Sequence, residues 1–219
     1  MKTLTILGFP LIFGLLILFT VPFQSCDPDD KDECDTCQIV YKPNIYIYPK
    51  ENLQLTVSLN FPKGGKIIKS IPEYESGWNI TVDNNGFIDK TYNYLFYESK
   101  QPDIWQHNEG WVVKKTNLKD FFSKNMTTYG FQGREIQDFI EYWIPKFTEF
   151  EFYEIYPQNS IIINDVIEIQ FSKNPDNILR LFYVVKGMNE LPSNNLTEPK
   201  IESFNREGFF TTEWGVIIE

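Results

Sequence analysis

The chain has a single histidine, His107, set in the polar run Gln106-His107-Asn108-Glu109. No G-x-S-x-G elbow accompanies it, so a Ser-His-Asp hydrolase has nothing to build on and His107 reads as an exposed loop residue. The H-E-x-x-H zinc motif is missing, and so are G-x-G-x-x-G and Walker loops. No metal and no cofactor is expected. Basic residues are also scarce: 20 Lys+Arg stand against 30 Asp+Glu, a net charge of −10. A nucleic-acid backbone demands the opposite balance, so nucleic acid is not an expected partner. A purely electrostatic grip on anionic headgroups is disfavoured for the same reason.

What is present begins with one long apolar run. Residues 4–23 are almost wholly apolar, preceded only by the charge of Lys2 and followed by Cys26-Asp27-Pro28-Asp29-Asp30. Such a run is long enough to span a bilayer, but a stop-transfer anchor wants Lys or Arg just beyond it. The acids found there favour translocation, so residues 1–25 read as a secretory signal. Phe23-Gln24-Ser25-Cys26 resembles a bacterial lipobox, in which a small residue precedes the cysteine that is lipidated. Phe23 replaces the usual Leu, and Gln24 is larger than usual. The resemblance implies a lipidated N-terminus at Cys26 and membrane attachment through its acyl chains. The alternative is an ordinary signal peptide followed by a disulfide cysteine.

Residues 26–40 read as a tether. Asp27, Asp29, Asp30, Asp32, Glu33 and Asp35 face Lys31 alone, a self-repelling composition. The stretch also resembles the acidic signal that directs some lipoproteins to the outside of the outer membrane, which makes the cell envelope the expected address. A calcium loop would need a turn glycine, and none occurs there. Cys34 and Cys37 form a C-x-x-C pair. Outside the cytosol a structural disulfide is the simpler reading. Free thiols and a redox site are the alternatives, the latter disfavoured because nearby acids raise thiol pKa values.

Residues 41–219 read as one integrated module, with a sub-boundary to consider near 100–110. Residues 45–48 form a short aromatic strand. Leu53, Leu55, Val57, Leu59 and Phe61 alternate with polar residues, the period of a half-buried strand. Strands follow at 66–71, around Trp78, Ile80 and Val82, and over 92–97, and Asn84-Asn85-Gly86 is a hairpin signal. These short strands predict an antiparallel sandwich or open barrel over 41–98. After a strand at 111–113 the period changes. One helix is predicted from a cap at Thr116 or Asn117, and a second carries Ile136, Phe139, Ile140 and Trp143 and ends at Pro145. Strands are predicted again at 151–156, 161–163, 166–171, 179–185 and 209–217. The expected class is therefore α+β: an N-terminal antiparallel sandwich or open barrel, two helices, then a further antiparallel sheet.

The run Lys42-Pro43-Asn44-Ile45-Tyr46-Ile47-Tyr48-Pro49 is similar to the opening of an uncharacterised bacterial family that begins K-P-x-I-Y-x-Y-P. Pro72-Glu73-Tyr74 with Gly77-Trp78, Tyr94-Leu95-Phe96-Tyr97-Glu98, Tyr142-Trp143-Ile144-Pro145, Arg206-Glu207-Gly208-Phe209 and Glu213-Trp214-Gly215 fit it as well, with Tyr97 standing where the family has Trp. The resemblance spans nearly all of the chain after Lys42 and implies a shared fold. It implies no activity, cofactor or catalytic residue.

Candidate chemistry rests on acids beside aromatic rings. Glu98, Glu141 and Glu213 each adjoin Tyr or Trp, and paired carboxylates flanked by rings are what glycosidases use. If the two halves pack face to face, these acids and Trp78, Trp143 and Trp214 would line one cleft. Trp78, Trp105 and Trp111, near turns or loop edges, are the tryptophans expected to be exposed, although most of the aromatic 16% should fill the core. The expectation is a lipid-anchored binding or structural module for a glycan or protein ligand. The alternative is a carboxylate hydrolase acting on an extracellular glycan.

Overall fold

The computed structural model describes residues 37–192 and 196–219. The expectations for the signal, Cys26, the acidic run and Cys34 lie outside the described residues. Among the described residues, no helix is long and apolar enough to cross a membrane.

The strands are β1 (Cys37–Tyr48), β2 (Leu53–Asn60), β3 (Lys66–Ile71), β4 (Trp78–Val82), β5 (Leu95–Pro102), β6 (Trp111–Lys114), β7 (Phe152–Asn159), β8 (Glu168–Phe171), β9 (Asn177–Met188) and β10 (Phe210–Ile218). The helices are α1 (Leu118–Tyr129), α2 (Arg134–Trp143) and the short α3 (Ser160–Asn164). Seven strands form a large sheet in the order β3-β5-β1-β10-β9-β7-β6, and β4-β2-β8 form a small antiparallel sheet. The class is α+β with two sheets and no closed barrel, as expected. The distribution of strands differs from the expected halves. β1, β3 and β5 share the large sheet with the C-terminal strands, and β8 joins the small sheet through antiparallel pairing to β2. β9 and β10 run parallel, because the long connection after Met188 returns the chain to the starting end of β9.

The alternation of side chains sorts the core onto the two faces of the large sheet. On one face Ile45, Ile47, Leu95, Tyr97, Phe182, Val184 and Ile217 pack against Leu55, Val57, Trp78, Ile80 and Val82 of the small sheet. On the other, Tyr46, Ile155, Leu181, Tyr183, Trp214 and Val216 pack against α1 and α2. Leu118, Phe122 and Met126 of α1, and Phe139 and Trp143 of α2, recur at helical spacing and give each helix its buried stripe. Gly130 ends α1 in the left-handed conformation at φ 111°, and its N–H returns to the Met126 carbonyl.

Two boundaries differ from expectation. β1 starts at Cys37 and pairs with β5 from Cys37↔Pro102 onward, so the end of the expected tether is already sheet. Residues 161–163, expected as a strand, form α3. Asn159 caps this turn by accepting hydrogen bonds from the backbone N–H groups of Ile161 and Ile162, and that local bond outweighs the β-propensity of three isoleucines.

The decisive irregularity is in β1. Tyr41 pairs with Val216 and Asn44 with Trp214, so Lys42 and Pro43 together oppose Gly215: a β-bulge. It also exchanges the two faces. Val40 points toward the small sheet, and after the extra residue Ile45 and Ile47 point the same way while Tyr46 faces the helices. Proline in a central strand is tolerated at such a bulge. Gly215 provides the room: a Cβ there would meet the Phe182 ring at 2.9 Å and Pro43 Cγ at 3.3 Å. Gly215→Ala is therefore expected to lower stability by about 1–3 kcal/mol through overpacking, measured as a reduced denaturant midpoint for the full-length protein.

Candidate functional site

The bulge turns Lys42 out of the sheet with its backbone at φ 53°, a conformation uncommon outside glycine. The ammonium is held among three rings, 4.9 Å from the centroid of Tyr94, 4.7 Å from Phe96 and 5.0 Å from Tyr142. Cation–π attraction of this kind strengthens as water is excluded. Tyr94 and Phe96 come from the start of the β5 segment and Tyr142 from the end of α2, so the site lies where sheet and helix layer meet. Its oxygen contacts are long: Nζ lies 3.3 Å from the Tyr94 hydroxyl and 3.5 Å from Asn44 Oδ1. Burial pushes the Lys42 pKa down, an effect that the charges of Asp138 and Glu98 oppose and those of Lys69 and Lys146 reinforce.

A polar chain runs inward from this point. The buried Asn44 amide donates to the Tyr46 hydroxyl at 3.4 Å, and that hydroxyl donates to Asp138 Oδ2 at 2.9 Å. Burial raises the Asp138 pKa, while the bond from Tyr46 and the charges of Arg134 and Lys42 pull it down. Burial likewise pushes the Tyr46 hydroxyl well above its ordinary value, so it remains a proton donor to Asp138. Lys42, Lys69, Tyr92, Tyr94, Phe96 and Tyr142 line a surface pocket of about 310 Å³ together with Ile71, Thr91 and Asn93. That volume is at the lower end for a small-ligand site.

The expected cleft does not assemble. Glu213 and Trp214 are neighbours on β10 and so point to opposite faces of the large sheet. Trp78 belongs to the core beneath the small sheet, and Trp143 and Trp214 to the core beneath the helices. Glu213 is 1% exposed. It accepts from Arg180 Nε at 2.6 Å and from the Tyr97 hydroxyl at 2.8 Å, a buried ion pair in which both carboxylate oxygens are already engaged. Glu98 and Glu141 do share the helix-bearing side: Glu98 acts on Lys42, and Glu141 bonds Gln137 and acts on Asp138. The tryptophans expected at the surface are corrected too. Trp78 and Trp105 are buried, and Trp111 is half-buried against Phe121 at 5.3 Å. Trp78 donates to the Pro72 carbonyl at 2.9 Å and meets Tyr74 edge-on, so that motif ties β3 to β4.

No known family, curated protein or solved structure matches the chain. His107 is exposed, and its two ring nitrogens are taken up by Glu219 and the Trp105 carbonyl. Among the described residues, no group of three or more His, Cys, Asp or Glu is placed to hold a metal ion. Cys37 is disulfide-bonded, and its partner lies outside the described residues. Glu135, fully buried on α2, takes both guanidinium nitrogens of Arg206 at 2.9 and 3.0 Å and the Thr212 hydroxyl at 2.8 Å. This clamp explains the Arg206 motif as structural.

Lys42, Lys69, Tyr94 and Tyr142 were not among the sequence candidates, although Lys42-Pro43 within a strand was a readable sign of a bulge. The sealed pair gives the first test of the corrected role of Glu213. Glu213→Ala leaves Arg180 buried without its countercharge, so it should cost about 3–5 kcal/mol, seen as a lower unfolding midpoint. A variant as stable as wild type would contradict the buried pair.

Proposed function

We propose that this protein is an exported lipoprotein of the cell envelope, held at the outer membrane through lipid on Cys26, and that its body is a binding module whose ligand site is the Lys42 pocket. The observation that carries the binding reading is the placement of Lys42. A β-bulge, a left-handed backbone and a proline hold one ammonium in a cage of three rings at the mouth of a pocket. Strained non-glycine backbone that the surrounding structure over-determines is characteristic of functional positions. Asp89 and Lys90, also at positive φ, immediately precede Thr91, Tyr92 and Asn93 of the same pocket lining. The hydrolase alternative has less support, because Glu213 is spent on Arg180. A net charge of −10 speaks against nucleic acid as the partner.

The lipid anchor rests on the apolar run, Ser25-Cys26 and the acids that follow. A structural Cys34–Cys37 disulfide fits the same exported setting. Two measurements test the reading. Cys26→Ala should release the protein from the membrane fraction, and unchanged membrane attachment and processing would overturn the lipid anchor. Full-length protein in detergent should retain ligands on a glycan array, and Tyr142→Ala should lose at least tenfold in affinity for them. Ligands that bind both proteins equally would place binding outside this pocket.

A further inference from the structure

The charges around the pocket narrow what it would hold. Lys42 and Lys69 share the Phe96 ring, 4.7 and 5.5 Å from its centroid, and Lys146 lies 3.9 Å from that of Tyr142. Each cation is set on an aromatic face. None of the three has a carboxylate within 4.0 Å among the described residues. They repel one another across the site in a chain that is acidic as a whole. The groups that act on Lys42 and Asp138 are the cations Lys69, Lys146 and Arg134 and the acids Glu98 and Glu141. Counting Lys42 and Asp138 themselves, four cations face three carboxylates, an excess of one positive charge. With three lysines unpaired on rings, this local balance favours an anion.

The rest of the lining suits a ring with hydroxyl groups. Tyr92, Tyr94 and Tyr142 are part-exposed rings with polar tips, and Thr91 and Asn93 add side-chain donors and acceptors to the lining. The Asn93 side-chain amide oxygen accepts from Arg134, which leaves its NH2 group free to donate. A flat apolar face with hydroxyls around its rim is what a pyranose presents.

We propose that the Lys42 pocket binds a hexuronate unit of an acidic glycan, with its carboxylate at the Lys42 and Lys69 ammonium groups and its ring against Tyr94 and Tyr142. This rests on the binding reading above and names its ligand class. The rings leave the ammonium groups only partly satisfied, so a carboxylate gives each a charge-assisted bond that the free protein lacks.

The test is calorimetric titration of the full-length protein in detergent with oligogalacturonate, the neutral galacto-oligosaccharide of the same length, and inorganic phosphate. Saturable binding of the uronate is expected, with the neutral sugar at least tenfold weaker and phosphate weaker still. Lys69→Met changes an exposed side chain and should keep the fold, yet lower uronate affinity about tenfold. Lys42→Met should lower it at least as far, with the melting curve recorded to separate binding from folding. Equal binding of uronate and neutral sugar, both lost in Tyr142→Ala, would overturn the uronate assignment and leave the binding-module reading intact. Phosphate binding alone would overturn the sugar. Absence of all binding would remove both readings, and uronate binding unchanged in Lys69→Met would refute the carboxylate placement.

Discussion

The antiparallel pairing of β1 with β10 is the constraint on which the rest of the protein depends. These strands come from the two ends of the described body and lie at the centre of the seven-stranded sheet. Their mismatch, two residues of β1 against Gly215 of β10, exchanges which side chains of β1 meet the small sheet and which meet the helices. Without that extra residue, Ile45 and Ile47 would face the helices and Tyr46 the small sheet, since a one-residue slip turns every following side chain over. The same bulge presents Lys42 to the pocket. Core assignment and candidate site thus share one backbone feature.

Three polar clusters join the layers, and they differ in kind. Arg180 and Glu213, 2% and 1% exposed, are closed off between the large sheet and the α3 region, with Asn164 and the Ile167 carbonyl also serving Arg180. Glu135, Arg206 and Thr212 fasten the loop before β10 to α2. Both clusters place opposite charges in direct contact, and burying such pairs demands that kind of satisfaction. The Lys42 cluster does not. Its three lysines rest on rings with no carboxylate within 4.0 Å among the described residues, at an open pocket, and so differ from the two directly paired clusters. That contrast sets the candidate site apart from the two polar clusters that tie layers together.

The motifs read from the sequence divide along the same line. Tyr74 and Trp78 lock β3 to β4, Trp143 stacks on Phe147 at 5.5 Å, and Trp214 packs edge-on against Phe139 at 5.2 Å. Most of the aromatic content is therefore core, the expectation for any single ring. What escaped the sequence was the grouping. Glu98, Glu141 and Glu213 look alike in one dimension, each beside an aromatic residue, yet strand alternation seals Glu213 on one face and leaves the other two on the opposite side.

By itself the sequence determined the period of its elements and hence their kinds. The alternation in 53–61 and the helical spacing of Ile136, Phe139, Ile140 and Trp143 are local properties, and they recur in β2 and α2. It also carried the α+β class and the acidic balance of the chain. Tertiary structure alone decided which strands share a sheet, because pairing between β1 and β10 or β2 and β8 depends on contacts more than a hundred residues apart, for which no local pattern codes. It also decided α3, where an Asn159 cap prevailed over β-branched side chains. Lys42, Phe96 and Tyr142 lie far apart along the chain and became one cage only when the bulge, the β5 segment and the end of α2 were packed together.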